Sequence, residues 1–338
     1  MDAIILVFIL PPIFVIVCLF IHIILHELGH TIFGLIENYE FYAFGIGSYA
    51  FIKENGKIKF KKYKIPGFGG YSLMLPPKSQ NHKIPYFWYF SGGIIFNIGT
   101  TILFLLLIIY IPLNETMLMF SLAFILMGLY SGIISALPLK IAGGTDGCKI
   151  LAIYKNNQTH EYFYNAYMII SKLFEGIRMK EMPKKLFIVP DCANFNNPIF
   201  AGVKNAEADR YYDNMEYEKA EKSYKSLISE NITLAKVVEN EVLCQILYFE
   251  IIKGNEEETA NLMTKKLKKY IKSTYNNITK KRLMFAYTLL IEKNVKESEN
   301  IWNDFHNVCE GSLIKGEIET ESETMNYIRK IAIERGIL

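Results

Sequence analysis

The sequence predicts a mainly α protein built in two parts. A three-span membrane core with a small cytoplasmic β segment comes first, and an α-helical, tetratricopeptide-like soluble domain follows. Two observations predict this. Hydrophobic residues make up 51% of the 338 residues and mean hydropathy is +0.16, both high for a wholly soluble chain. Long apolar runs crowd before about Ile150 and charges after about Lys180, as expected of a membrane-embedded half joined to an aqueous half. The expected boundaries are residues 1–155 for the membrane domain, 156–204 for a connecting segment and 205–338 for the helical domain.

A helix needs about 20 apolar residues to cross a ~30 Å hydrocarbon core. Three stretches qualify, at about residues 4–36, 92–111 and 117–139. The first is broken only by Pro11-Pro12 and by the cluster His26-Glu27-Leu28-Gly29-His30. As one helix it would measure about 50 Å at ~1.5 Å per residue. The prolines are therefore expected to start or kink the main helix, which leaves the polar cluster inside the membrane. Only Pro112-Leu113-Asn114-Glu115-Thr116 separates the second and third stretches, so these form a helical hairpin. The N-terminus lacks a basic region, carries Asp2 and shows no small-residue cleavage site. The first span thus reads as retained rather than removed as a signal peptide.

A β segment is expected at about residues 45–75. Tyr49-Ala50-Phe51-Ile52-Lys53 and Lys57-Ile58-Lys59-Phe60-Lys61 flank Glu54-Asn55-Gly56, and Asn-Gly is a strong hairpin signal. The sheet continues through Gly69-Gly70-Tyr71-Ser72-Leu73-Met74. Between Glu37 and Phe90 eight lysines face three acids, a net of +5, whereas the loop after the second span carries no cation. By the positive-inside rule the β segment and the C-terminal half are cytoplasmic and the N-terminus is outside. The polar cluster then lies in the cytoplasmic half of the bilayer.

From about Asn205 the pattern is helical and polar-faced: Ala208, Tyr211, Tyr212, Met215, Tyr217, Ala220, Tyr224 and Leu227 recur at three- and four-residue steps. The run Tyr211 to Tyr224 has the short turn, the alanine and the aromatic four residues later of a tetratricopeptide junction. Stretches at Ile252-Lys253-Gly254-Asn255 and Leu290-Ile291-Glu292-Lys293-Asn294 are weaker helix-pair turns. An irregular helical bundle is the other reading of this half.

The net charge of +3, without a basic stretch interleaved with aromatics, gives no case for nucleic acid. The five cysteines, Cys18, Cys148, Cys192, Cys244 and Cys309, form no CxxC pair. They read as ordinary thiols in a reducing compartment.

The chemistry concentrates in His26-Glu27-Leu28-Gly29-His30, an HExxH motif. Residues four apart share a helix face, so both imidazoles can reach one metal ion. Glu27, beside that face, can take a proton from a metal-activated water. Ionisable groups inside a span cost on the order of 2.5–3.5 kcal/mol each on insertion scales and mark function. Apolar sequence continues through Thr31-Ile32-Phe33-Gly34-Leu35-Ile36, which argues against a polar turn at the membrane surface.

A catalytic zinc takes three protein ligands and keeps one position open. His22 shares the face, but eight residues from His30 is about 12 Å of helix rise, far beyond two Zn–N bonds of ~2.0–2.1 Å. His22 reads as a hydrogen-bonded core residue. His82 and His160 sit in polar, loop-like contexts without partner spacing. Asp146, in Gly143-Gly144-Thr145-Asp146-Gly147 just past the third span, is the better third ligand, although Asp-Gly is also an ordinary turn signal.

At these residues the chain resembles the site-2 protease family of intramembrane zinc metalloproteases, over about residues 15–155. His26, Glu27 and His30 match the family's HExxH helix. Asp146-Gly147 matches the aspartate-glycine pair that supplies its third zinc ligand. Ser135 replaces the asparagine of that segment, Thr145 replaces its leucine, and Pro138 fits loosely. Gly93 and Asn97 keep the spacing of the family's G-P-x-x-N segment, with Ile94 in place of the proline. Asn97 either positions the substrate backbone or oxyanion, or ties two helices together. Gly69-Gly70-Tyr71 resembles the family's glycine-rich β segment, which presents an edge to extended substrate. The resemblance implies a three-span membrane metalloprotease core using Zn2+. It implies hydrolysis of a peptide bond in or near a membrane span, in regulated release of a tethered regulator or processing of a small peptide.

The expected partners are a membrane-spanning or membrane-associated peptide, the lipid bilayer and a cytoplasmic protein at the C-terminal domain. The expected location is a prokaryotic cell membrane, multi-pass. The competing function is a catalytically silent receptor or scaffold that binds peptides through its helical repeats. A transporter is disfavoured, because three spans without an internal repeat make no usual transport core.

Overall fold

The computed structural model describes residues 8–54, 56–62, 69–77, 83–141, 143–190, 193–229, 231–312 and 314–338. Residues 4–7 of the expected first span, the turn residue Asn55, His82 and Cys192 lie outside these. The chain divides into two compact units, the first mainly within Met1–His160 and the second mainly within Glu161–Leu338.

The first unit is three long helices and a sheet. The helices α1 (Leu10–Ile36), α2 (Phe87–Tyr110) and α3 (Glu115–Ala136) are each long and apolar enough to cross a membrane. Pro11 and Pro12 fall in the first turn of α1, where a missing N–H costs least, and Phe8 and Ile9 just before it are π-helical. At 27 residues α1 is about 40 Å long. Its C-terminal carbonyls are closed by Glu37, Asn38 and Tyr39 amides, with Asn38 at φ 61°. The α2 helix begins at Phe87, earlier than the expected residue 92. Its first turn gains an acceptor there, because Tyr89 N–H donates to the Glu37 carboxylate at 3.1 Å. The α3 helix is capped by Asn114, whose side chain accepts from Met117 N–H. It stops at Ala136, short of the expected residue 139, because Pro138 disfavours helical backbone at Leu137.

The bundle buries polar and small residues beside an apolar cluster at Cys18, Ala123 and Phe124, and it is apolar outside. Its buried positions include His22, His30, Ser91, Asn97, Thr101 and Ser121, together with several glycines. Its exposed positions are large and apolar: Ile16 at 68%, Leu103 at 60% and Leu126 at 58%. Without a hydrophobic drive between helices in lipid, small residues that let backbones approach and polar groups that bond across helices hold such a bundle together. A Cβ on Gly29 would collide with the Gly92 carbonyl, and one on Gly92 with the Gly29 carbonyl.

Four antiparallel strands, β1 (Glu40–Ile46), β2 (Tyr49–Glu54), β3 (Lys57–Lys62) and β4 (Gly70–Leu75), form one sheet in the order β3-β2-β1-β4. The Asn-Gly signal marks the β2–β3 hairpin; β1 precedes it and starts before the expected residue 45. The edge strand β4 packs against α1, where Thr31 and Ser72 hydroxyls lie 3.0 Å apart. The short α4 (Asp146–Lys155) follows the third span.

In the second unit, α5 (Thr159–Glu175) leads through two 3-10 turns to the helices α6 (Pro198–Asp213), α7 (Tyr217–Leu227), α8 (Lys236–Lys253), α9 (Glu256–Leu262), α10 (Lys265–Ser273) and α11 (Ile278–Ala286). A π-helical turn over Tyr287–Ile291, α12 (Val295–Glu310) and α13 (Lys315–Glu334) complete it. Helices reverse at Met215, Gly254 and Lys293, all with positive φ. Helix lengths range from 7 to 20 residues. The core holds a buried cation: Arg282 donates to Glu321 at 2.9 Å and to Gln245 at 2.8 Å, over the Tyr248 ring. Arg178 ties the chain after α5 to Asp213 at 2.6 Å and Glu323 at 2.7 Å.

Candidate metal centre

His26 and His30 lie one turn apart on α1, and their rings meet edge to face at 4.7 Å. Their Nε2 atoms are 3.1 Å apart. One carboxylate oxygen of Asp146 lies 3.0 Å from His26 Nε2 and 3.3 Å from His30 Nε2. The three residues form a cluster able to hold a metal ion.

Asp146 reaches the helix pair through a latch at the end of the third span. Thr145 is the N-cap of α4 and accepts from Cys148 N–H. Its hydroxyl also accepts from Leu139 N–H at 3.1 Å, and its own N–H donates to the Leu139 carbonyl at 3.0 Å. A Cβ on Gly147 would collide with the Ala136 carbonyl, so the Asp-Gly pair permits the close approach of α4 to the end of α3.

The histidine protons support a cation at the cluster. His30 Nδ1 lies 2.7 Å from the Tyr89 carbonyl, which can only accept. Nδ1 therefore carries the proton, and in a neutral ring Nε2 presents a lone pair to the cluster. At His30, then, a nitrogen lone pair and a carboxylate oxygen 3.3 Å away face each other as two acceptors, which a shared cation would satisfy; Lys149 Nζ lies 3.9 Å from the other Asp146 oxygen. Donors around a tetrahedral zinc with ~2.0–2.1 Å bonds are about 3.3 Å apart, close to the separations here. The donor set of two histidines and one carboxylate is one that catalytic zinc uses.

Glu27 stands beside this cluster on α1. No described residue makes a hydrogen bond to its carboxylate. A Cβ on Gly70 would come within 2.6 Å of Glu27 Cγ and 2.9 Å of Ile23, so the glycine lets β4 lie directly against the side of the centre. The other residues fall behind or away from it. Asn97 is fully buried, with its amide between His22 and His26. His22 is fully buried and bonded, as a core histidine should be. His160 Nδ1 accepts from Ile84 N–H at 3.2 Å, a structural role.

Sequence reasoning missed Tyr89, which orients His30 through its carbonyl, donates its hydroxyl to the Ser72 carbonyl at 3.1 Å and its N–H to Glu37. A backbone acceptor leaves no residue-type signal. The Thr145 latch did leave one: threonine before an acidic first turn is an N-cap signature.

A family model described as peptidase family M50 matches residues 14–306. The match continues through the helical half, further than residues 15–155 that the motifs cover. No curated protein matches the chain, and no solved structure does.

Proposed function

The chain belongs to peptidase family M50, a family of membrane metallopeptidases, and from that premise we propose that it is a zinc-dependent intramembrane endopeptidase. The observation that carries the reading is the convergence of His26 Nε2, His30 Nε2 and an Asp146 oxygen at separations of 3.0–3.3 Å. These three residues hold the metal. Bound zinc polarises a scissile carbonyl and brings the pKa of water toward ~7.

Glu27 takes the proton of the attacking water and returns it to the leaving amine. A helical substrate must first unwind, because its carbonyls are already hydrogen-bonded. The edge of β4 near Gly70 offers main-chain groups for the opened segment, a form of strand addition. Asn97 stands behind His26 rather than toward an incoming chain, since its amide is buried between two histidines.

The substrate is a membrane-spanning or membrane-associated peptide, cleaved within a lipid bilayer in regulated release of a tethered regulator or in peptide maturation. The helical half, read as tetratricopeptide-like, faces the cytoplasm and docks a protein partner there. The net +5 of the segment from Glu37 to Phe90 supports this orientation, and a prokaryotic cell membrane is the proposed location. The test is metal analysis of wild type against Asp146→Ala, paired with cleavage of a membrane-peptide library. Turnover that needs both zinc and Glu27 supports the protease. Zinc binding without Glu27-dependent turnover favours a silent receptor.

A further inference from the structure

We propose that His22 and Asn97 form a proton-ordered relay that locks the His26 imidazole in the tautomer presenting Nε2 to the metal. The inference rests on the reading of His26 as a ligand and assigns two positioning residues behind it.

The relay runs through all three spans. His22 Nε2 lies 2.9 Å from the Phe124 carbonyl of α3. His22 Nδ1 lies 3.2 Å from one arm of the Asn97 amide of α2, and the other arm lies 3.3 Å from His26 Nδ1. Neither His22 nor Asn97 exposes any surface, so water cannot replace a missing partner, and an unmet polar group there is costly. A glycine makes the geometry possible: a Cβ on Gly128 would run into the His22 ring and the Thr101 hydroxyl.

Proton bookkeeping fixes the direction of every bond. A carbonyl only accepts, so His22 Nε2 donates to Phe124, and Nδ1 of that neutral ring must accept. His26 offers Nε2 to the cluster as a ligand, so its Nδ1 carries the proton and must donate. Asn97 meets both demands in one orientation, with Nδ2–H donating to His22 and Oδ1 accepting from His26. As placed, Oδ1 faces His22 and Nδ2 faces His26. A half-turn of the amide exchanges two arms of nearly equal shape and turns two mismatched contacts into two hydrogen bonds. Once turned, each ring nitrogen in the line faces a group of opposite polarity.

The two ligand imidazoles are thus fixed by different devices. His30 leans on the Tyr89 backbone carbonyl, which no side-chain substitution removes. His26 leans on a side chain whose orientation is set by a second histidine. Outer-shell partners of this kind are worth about 10–100-fold in metal affinity.

The experiment is competitive Zn2+ binding to the full chain in detergent, with visible absorption of the Co2+-loaded protein and thermal unfolding of the metal-free protein alongside. Asn97→Leu should weaken zinc about 10–100-fold and shift the cobalt bands. His22→Phe keeps a ring against Phe124, whose ring centroid is 4.2 Å away, and should weaken zinc less. The double variant should bind no worse than Asn97→Leu alone, because His22 acts only through Asn97. Asn97→Asp keeps an acceptor at His26 Nδ1 but removes the donor to His22, so it should weaken zinc less than Asn97→Leu; His22→Phe carries the test if Asn97→Leu does not fold. The relay is overturned if His22→Phe and Asn97→Leu bind zinc like wild type, or if their losses multiply. Should His26→Ala bind zinc as tightly as wild type, the metal reading itself falls, a result distinct from intact His26 dependence with silent His22 and Asn97.

Discussion

Gly29 and Gly92 cross backbone against backbone, each placed where a Cβ would strike the other's carbonyl. That crossing sets the distance between the helix bearing both histidines and the helix bearing Tyr89 and Asn97. Gly92→Ala should cost about 1–3 kcal/mol through overpacking and weaken zinc as the helices part. Gly99→Ala, with open space around its Cβ position, should leave both unchanged or slightly improved. Thermal unfolding in detergent, with and without zinc, compares the two.

Glu27→Gln should keep the zinc content of the wild type and lower turnover about 10²–10⁴-fold, the range for a positioned general base. Metal analysis and peptide cleavage on the same preparation give both values. Unchanged cleavage would remove Glu27 from the mechanism.

Chelation should abolish cleavage, and added Zn2+ should restore it. The protein should also lose stability without metal. A ligand at a hundred times its dissociation constant stabilises the fold by about 2.7 kcal/mol. Unfolding midpoints across a zinc titration read this directly, and Asp146→Ala should flatten the curve.

Thr145→Val keeps the side-chain shape and removes the hydroxyl that receives Cys148 and Leu139 amides. Loss of such a cap costs about 0.5–2 kcal/mol. Because the latch delivers Asp146, zinc affinity should fall as well, with His26 and His30 untouched. Isothermal titration with zinc measures the loss.

In the second unit, burial pushes the Asp209 carboxyl up to about 7, with Glu321 and Glu241 adding to the effect against its bond from Tyr224. A raised folded pKa means the folded state holds a proton the unfolded state has released. Its contribution is therefore complete below about pH 4 and is lost as pH rises through 7. Asp209→Asn mimics the protonated form, so its stability advantage over wild type should grow by on the order of 2 kcal/mol from pH 5 to pH 8. Hydrogen exchange of α6 and α7 amides, variant against wild type at each pH, gives the difference.

The three spans and the HExxH pair were legible because membrane length and helical period leave strong marks on residue type. Asp146 was legible from its place just past the third span and from the resemblance, while the Asp-Gly dipeptide by itself says nothing about the helix it will approach. The β1 strand was missed although Gly47-Ser48 marks its two-residue turn to β2, because Glu40-Phe41-Tyr42-Ala43-Phe44 lies only a few residues beyond the first span. The early start of α2 was missed because its capping acceptor, Glu37, lies 52 residues away from Tyr89. His22 was read as a core residue from spacing alone; its link to His26 required the third dimension.

The donors His26 and His30 belong to the first membrane helix, while Asp146 arrives only after the third. A ribosome must therefore deliver more than a hundred further residues before the cluster can close. Until then the emerging polypeptide holds only two of the three groups that meet in the cluster, and a metal ion that needs all three can settle there only after the third long helix has formed.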